Sequence, residues 1–352
     1  MTTRAAVPTG YAMEPVDFAG ARDDLMEQVV ALEHALDAEA VPEDPPRPAE
    51  LIAARFRVTS KMSARKQWGA FANGRLVARA SLFRNLSGSN EATRDVDIAV
   101  HPGHRRRGLG RALFAACVDA IDDAQSRLLE AWTTTRVPAG TTFAERMGAT
   151  GGLHMRASQL DLAKVDRSLM REWASIDPAG YRLEWIIGDT PDQLMDNVID
   201  ALRAINRMPR EGLEMEDWKF TPEIIRDSER MMKARGREGW FVLAMDESGA
   251  SAGFTDVSFD RRYPPVVQQR GTAVVPEHQG KGIGKWMKAR MLEKILAELP
   301  EARYVRTENA GSNAPMLAIN IKMGFRPAWE NTIWQIPLAG ARRYISKRMM
   351  TV

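Results

Sequence analysis

Three stretches of the chain carry apolar residues at helical spacing. Leu25, Val29, Leu32 and Leu36 recur at intervals of three and four and predict a helix over 21–40. Leu109, Leu113, Cys117 and Ile121 predict one over 109–121, and Ile283, Met287, Met291 and Ile295 one over 283–299. Shorter apolar runs bounded by turn residues predict strands. In the first half they cover 11–18, 68–71, 76–83, 94–100, 128–134 and 153–162. In the second they cover 181–187, 240–245, 253–259, 266–275, 303–307 and 329–337. Asn73-Gly74 signals a hairpin. Further helices are expected over 49–62, 141–147, 164–175 and 316–323. Two more begin at the cap-like Asp189-Thr-Pro-Asp-Gln193 and at Thr221-Pro-Glu-Ile.

Each half then reads strand, two helices, three strands, helix, strand, helix, strand. This order places the chain in the α/β (α+β) class as two tandem domains. We expect them at 1–163 and 181–340, joined by a linker over 164–180 that ends in the break Asp177-Pro-Ala-Gly180. The basic tail, 341–352, is read as a solvated end.

Composition adds bounds. The 352 residues are 44% hydrophobic and 27% charged, ordinary for a globular chain long enough for two cores. A net charge of +3 is too mild to argue for nucleic acid. Cys117 is the lone cysteine, so no intramolecular disulfide forms, and its apolar setting predicts an inert thiol. The N-terminus has no apolar core for a signal peptide, and no run reaches membrane-spanning length. A cytoplasmic protein is expected.

The chemistry concentrates in Thr272-Ala-Val-Val-Pro-Glu-His-Gln-Gly-Lys-Gly-Ile-Gly-Lys285. A strand ends at Pro276, a glycine-rich turn follows, and Ile283 opens a helix. Gly280, Gly282 and Gly284 let backbone approach a ligand closely and take positive φ. The first N–H groups of the helix lack partners and sit at the positive end of its dipole, so an anion is held there. Gln279, Lys281 and Lys285 add donors and charge. The P-loop pattern is absent, and the dinucleotide fingerprint fails because its sixth position is Lys285 or Met287. A ligand-free glycine turn is the alternative. Against it stands a second copy, Ile98-Ala-Val-His-Pro-Gly-His-Arg-Arg-Arg-Gly-Leu-Gly-Arg111. Val100 falls on Val274, Pro102 on Pro276, Gly108 on Gly282 and Gly110 on Gly284. Internal repetition of this kind implies two related domains.

Gln279-x-x-Gly282-x-Gly284 after a Val-x-Pro strand end resembles the pyrophosphate motif of the GNAT acyltransferase superfamily, which binds acetyl-CoA. Asn309 to Phe325 resembles the family's second motif, with Asn313 at its asparagine. The resemblance covers nearly the whole chain as two tandem domains, a layout similar to mycothiol synthase and to antibiotic-modifying acetyltransferases. It implies a mixed, mostly antiparallel sheet flanked by helices in each domain. It also implies coenzyme A contacts from Val274, Val275, Gln279, Gly280, Lys281, Gly282, Ile283, Gly284, Lys285, Asn313 and Met316. The corresponding first-half set is Val100, Arg105, Arg106, Arg107, Gly108, Leu109, Gly110 and Arg111.

In the family the motif strand and the strand after the motif helix splay apart, and pantetheine lies in the gap. A backbone N–H near Val274 would then stabilise the oxyanion. Asn320 stands where many members carry a tyrosine acid; it can donate a hydrogen bond to sulfur but not a proton. The motif strand carries no acid, so Glu308 is the first candidate base and Asp256 the second; each could equally be a solvated carboxylate. His278 is read as a loop donor. Val137, Ala144 and Ala149 replace Asn313, Asn320 and Phe325 in the first half. That half is therefore expected to be non-catalytic, either binding acetyl-CoA without transferring from it or serving as a relic that completes the acceptor cleft.

The expected activity is direct N-acetyl transfer from acetyl-CoA to a primary amine in the C-terminal domain. A small molecule, such as an aminosugar or antibiotic-like metabolite, is the first expectation for the acceptor, and a protein amine the second. The rival reading is a non-catalytic acetyl-CoA sensor or scaffold. The mixed charges of the loop Asn206–Trp218 do not decide between acceptors. No metal, nucleic acid or membrane is expected, and the chain is read as a monomer or homodimer.

Overall fold

A computed structural model describes residues 7–349; residues 1–6 and the last three of the tail, 350–352, lie outside the described residues. The first half folds as β1 (Ala12–Pro15), α1 (Asp23–Ala40), α2 (Ala49–Arg57), β2 (Ser63–Ala72), β3 (Arg75–Asn85), β4 (Thr93–Val100), α3 (Leu109–Asp119), β5 (Leu128–Thr134), α4 (Pro138–Met147) and β6 (Thr150–Asp161). After α5 (Arg167–Ala174) the order repeats. It runs β7 (Tyr181–Ile187), α6 (Met195–Arg203), α7 (Pro222–Ala234), β8 (Glu238–Asp246), β9 (Ser251–Phe259), β10 (Val266–Val274), α8 (Ile283–Glu298), β11 (Tyr304–Ala310), α9 (Ala314–Met323) and β12 (Arg326–Pro337), with α10 (Leu338–Met349) last. The expected order of elements holds in both halves. Asn73 and Gly74 both take positive φ, as the tight hairpin between β2 and β3 requires. The expected helix over 49–62 is shorter, because Ser63 already pairs with Asn85 and pulls the chain into β2.

The sequence divide at 163–181 is not where the compact units separate. One unit holds 1–154, 212–216 and 331–352; the other holds 155–211 and 217–330. The first unit's sheet runs β1-β2-β3-β4-β5-β12, and the second's runs β6-β11-β10-β9-β8-β7. Each closing strand thus joins the sheet of the other half. Asn331–Pro337 pair antiparallel with β5, and Met155–Asp161 pair antiparallel with β11. The helices follow their strands: α5 packs on α8, and α10 on α3. Strand periodicity tells which face of a strand is buried, but not which sheet it joins.

The tail is therefore not a solvated end. Leu338, Ala341 and Ile345 are buried in the first unit's core with Leu113, Cys117 and Ile121 of the helix stripe. Arg342 and Arg343 of the same helix are exposed. Ile345→Ala is expected to destabilise the first unit by about 2–5 kcal/mol, the usual loss for a buried isoleucine truncation. Urea melts followed by circular dichroism would read this as a lower midpoint, and a solvated tail would give no shift.

In each sheet one pair of strands is parallel, and its pairing is brief. β4 and β5 pair only over Thr93–Asp95 with Leu128–Glu130, and β10 and β11 only over Val266–Gln268 with Tyr304–Arg306. Beyond those residues the strands diverge, and the gap opens toward the N-terminus of α3 or α8. No helix among the described residues is long and apolar enough to cross a membrane.

Candidate active site

The second unit's gap is shaped by a β-bulge. β9 and β10 pair as Gln268↔Ser258 and Gln269↔Val257, then shift register and resume at Thr272↔Thr255. Beyond the bulge, Val275 N–H donates to the Ala252 carbonyl at 2.9 Å. Antiparallel alternation then turns the N–H and C=O of Val274 away from β9, toward the side β11 has left. The Val274 carbonyl accepts from Gln279 Nε2 at 3.2 Å, across the mouth of the turn.

The turn has the geometry its glycines imply. Gly282 is the N-cap of α8 with φ +82°, and Gly280 has φ +78°. A Cβ at Gly282 would press on Ile176 at 3.3 Å, while at Gly280 it would project into open space. Gly284 packs against Val274 and Ile319. Two lysines flank the turn. Lys281 Nζ donates to Tyr181 Oη at 2.7 Å, and Lys285 Nζ lies 5.4 Å from the centre of the Trp173 ring. Tyr181 Oη also bonds His278 Nδ1 at 2.9 Å, so His278 is fixed within the loop, as expected of a loop residue.

A cleft of about 420 Å³ runs along this turn. Thr272 and Val274 line it from β10, Gln279, Gly280, Gly282, Ile283, Gly284 and Lys285 from the turn, and Asn313 and Met316 from α9. Asn313 Oδ1 accepts from Met316 N–H at 3.4 Å, which makes it the N-cap of α9. The loop after α6 closes the far side with Arg207, Met208 and Pro209, all within the stretch 206–218 whose mixed charges are expected to face the acceptor. Val275 faces an adjoining pocket of about 580 Å³, lined also by Asp200, Asp217 and Trp218. Lys281 is turned onto Tyr181 rather than into the cleft.

The three expected catalytic side chains are not brought together there. Asn320 is buried, and its Nδ2 donates to Asn309 Oδ1 at 2.8 Å, so it does not face the cleft as a sulfur donor. Asp256 accepts the Gly271 N–H of the bulge at 2.6 Å and lies 3.3 Å from Arg270. Its burial raises its pKa, and Arg270 and the Gly271 N–H oppose the rise. It borders a separate pocket beneath α7. Glu308 is exposed on β11 and does not line the cleft. Strand position placed both carboxylates near the gap; side-chain direction sends them elsewhere.

The first unit repeats the turn with different chemistry. Gly108 caps α3 at φ +88°, and Arg106 takes φ +63° where the second copy has Gly280. Tyr11 Oη bonds His104 Nδ1 at 3.1 Å and accepts from Arg107 at 3.2 Å, matching Tyr181, His278 and Lys281. Arg105 Nε donates to the Val100 carbonyl at 3.1 Å, the contact Gln279 makes with Val274. Its guanidinium, however, is clamped by Glu39 at 2.6 and 2.5 Å. Arg105 is therefore neutralised by an internal carboxylate and is not the spare phosphate ligand its position implied. Leu109 is buried, and Phe143 covers Gly110. β3 and β4 pair without a shift from Ala78↔Val100 to Arg84↔Arg94, so the motif strand of this unit is not bulged against β3.

Comparison with known proteins agrees with this geometry. The model of the Acetyltransferase (GNAT) family matches residues 29–149 and 199–325. The chain belongs to the GNAT family. A mycothiol acetyltransferase of Saccharomonospora viridis is 28% identical over 315 residues, 86% of this chain and 91% of that protein. Another, from Clavibacter sepedonicus, is 27% identical over 66% of this chain and 70% of its own length. A solved tandem GNAT protein from the clavulanic acid biosynthesis pathway has 29% identity and a TM-score of 0.77, covering 93% of this chain and 98% of that one.

The protein is thus a tandem GNAT acyltransferase, and its acetyl donor is acetyl-CoA. The second unit's residues fit that donor. Positive-φ glycines leave room for a pyrophosphate at the start of α8, Lys285 supplies charge beside them, and the gap exposes the Val274 N–H. Acetyl-CoA supplies an activated acetyl thioester. The chain would supply its placement and, at the Val274 N–H, a backbone donor for the negative charge that develops on the acetyl oxygen.

Proposed function

We propose that the second unit transfers acetyl to a primary amine of a small molecule, and that the first unit lies outside the catalytic machinery. The observation that carries this reading is the difference between the two motif strands. In the second unit the strand is bulged, and its carbonyl and N–H at Val274 face a cleft continuous with an open glycine turn. In the first the ladder is unbroken, and the key arginine is held by Glu39.

The acceptor pocket adjoins the cleft and shares Ala204, Arg207 and Pro276 with it. Trp218 offers a flat apolar face, and Asp200 and Asp217, ion-paired with Arg203 and Arg210, keep carboxylate oxygens that can accept from a hydroxylated amine such as an aminosugar. The name of the relatives, mycothiol acetyltransferase, supports a small-molecule acceptor. A reducing cytoplasm suits the single buried thiol, Cys117.

Calorimetric titration with acetyl-CoA tests the division of labour. One site per chain is expected, and it should disappear in Gly282→Glu. Two equal sites would overturn the assignment of the first unit, and no binding at millimolar ligand would overturn the site itself. A panel of amines, aminosugars and peptides, assayed by release of free coenzyme A thiol, then tests the acceptor class. Exclusive use of peptides would refute the small-molecule reading.

A further inference from the structure

Behind the bulge lies a set of polar side chains that nothing in the cleft yet uses. Lys288 of α8 is 2% exposed, and its Nζ lies 3.5 Å from Gln269 Oε1 and 5.4 Å from the centre of the Phe325 ring. Among the described residues it forms no ion pair. Gln269 Nε2 in turn reaches Thr255 Oγ1 at 3.0 Å and the carbonyls of Asp256 at 2.8 Å and Gly271 at 3.3 Å. Thr255 and Thr272 share a hydroxyl bond of 2.8 Å, and Thr272 lines the cleft. The amide of Gln269 thus ties together the backbone on both sides of the bulge.

The first unit shows what the same fold does without these groups. Counted from the N-cap glycines, Phe114 stands where Lys288 does. Along the ladders, Val96 opposes Leu82 as Gln269 opposes Val257, and Ile98 opposes Ala80 as Thr272 opposes Thr255. Four polar side chains in one unit are therefore Phe114, Val96, Ala80 and Ile98 in the other, all packed in an apolar core. In the apolar version the motif strand is not bulged. Burying polar groups is costly unless they are paired, and the fold does not require them.

We propose that Lys288, acting through Gln269, is a positioning residue that holds the motif-strand bulge open and so aims the Val274 N–H into the cleft. A flipped glutamine amide would set Oε1 against the carbonyls of Asp256 and Gly271 and Nε2 against the Lys288 ammonium, so both ends of the side chain favour one orientation. A donor at Nζ fixes Oε1 toward α8 and leaves Nε2 to cap the bulge carbonyls. This inference rests on the reading that the second unit is the catalytic one.

The test compares Lys288→Met, Gln269→Leu and the double variant in the full chain. Phe114 shows that the helix accepts an apolar side chain at this place, so folding is expected. Each single variant should lower kcat by about 10- to 100-fold, the scale of a small misplacement at a reacting centre. KM for acetyl-CoA should stay unchanged, since the glycine turn is untouched. The double variant should lose no more than the worse single one. Amide hydrogen exchange should rise at 270–274 in all three. Full kcat, additive losses or unchanged exchange would each overturn the proposal. Gly282→Glu, assayed alongside, separates the two failures. If that variant keeps full transfer, the catalytic reading has failed, and the exchange data still decide whether Lys288 holds the bulge.

Discussion

Gly282→Glu is expected to abolish acetyl transfer, lowering kcat/KM by at least about 100-fold, or about 2.7 kcal/mol of barrier. Two effects act at once. The residue takes φ +82°, where a side chain is strained, and its Cβ would meet Ile176 at 3.3 Å. The new carboxylate would also occupy the positive end of α8, where the pyrophosphate of the donor belongs. Gly282→Ala carries the strain without the charge and should lose much less, which divides one effect from the other. The matching change in the first unit, Gly108→Glu, is expected to spare transfer if, as proposed, that turn stands outside the catalytic machinery. Steady-state kinetics at saturating amine would decide. Transfer lost in Gly108→Glu and kept in Gly282→Glu would reverse the assignment of the two units.

Much of this architecture is legible in the sequence, because the repeat can be read twice. Ile98–Arg111 and Thr272–Lys285 align residue by residue, and Gly108, Gly280 and Gly282 take the positive φ expected of the turn; Gly284 does not, because it already lies within the first turn of α8. Gln279 and Arg105 even make the same contact with the preceding valine carbonyl. What escaped was whatever depends on long-range pairing. β6 and β12 have the pattern of closing strands, and nothing local says that each closes the other half's sheet. Arg105 looks like a free phosphate ligand until Glu39, 66 residues earlier, is brought beside it. Asn320, Asp256 and Glu308 sit on the expected elements, but their side chains turn from the cleft. The Lys288 network did leave a trace. A lysine three residues before Met291 and seven before Ile295 falls on a buried helical face, and its counterpart in the first copy is Phe114.

That trace leads to the second large effect, on stability rather than rate. Burial without a charged partner lowers the Lys288 pKa from 10.5 to about 7. The neighbours given by its contacts, Gln269 on β10 and Phe325 before β12, carry no charge to offset this. The folded state therefore releases its proton near pH 7, while the unfolded chain keeps one until about 10.5. Between those values the unfolded state binds more protons, so the stability of the wild-type chain should rise with pH, by at most about 1.4 kcal/mol per unit. Below pH 7 both states are charged, and the full cost of the buried charge is present. Lys288→Met removes the titration. It should flatten this part of the profile and remove the cost of the buried charge, about 4 kcal/mol at neutral pH from the same shift, so the second unit is expected to gain stability there. Urea melts at pH 6.5, 8 and 9.5, with wild type and variant side by side, would measure it. A residue that served packing alone would lose stability and activity together on replacement. A variant that gains stability while losing kcat shows instead that the buried lysine destabilises the fold and serves the cleft, the trade expected of a strained functional site. If Lys288→Met lowers the urea midpoint at every pH, the buried lysine stabilises the fold and the expected trade of stability for rate is refuted.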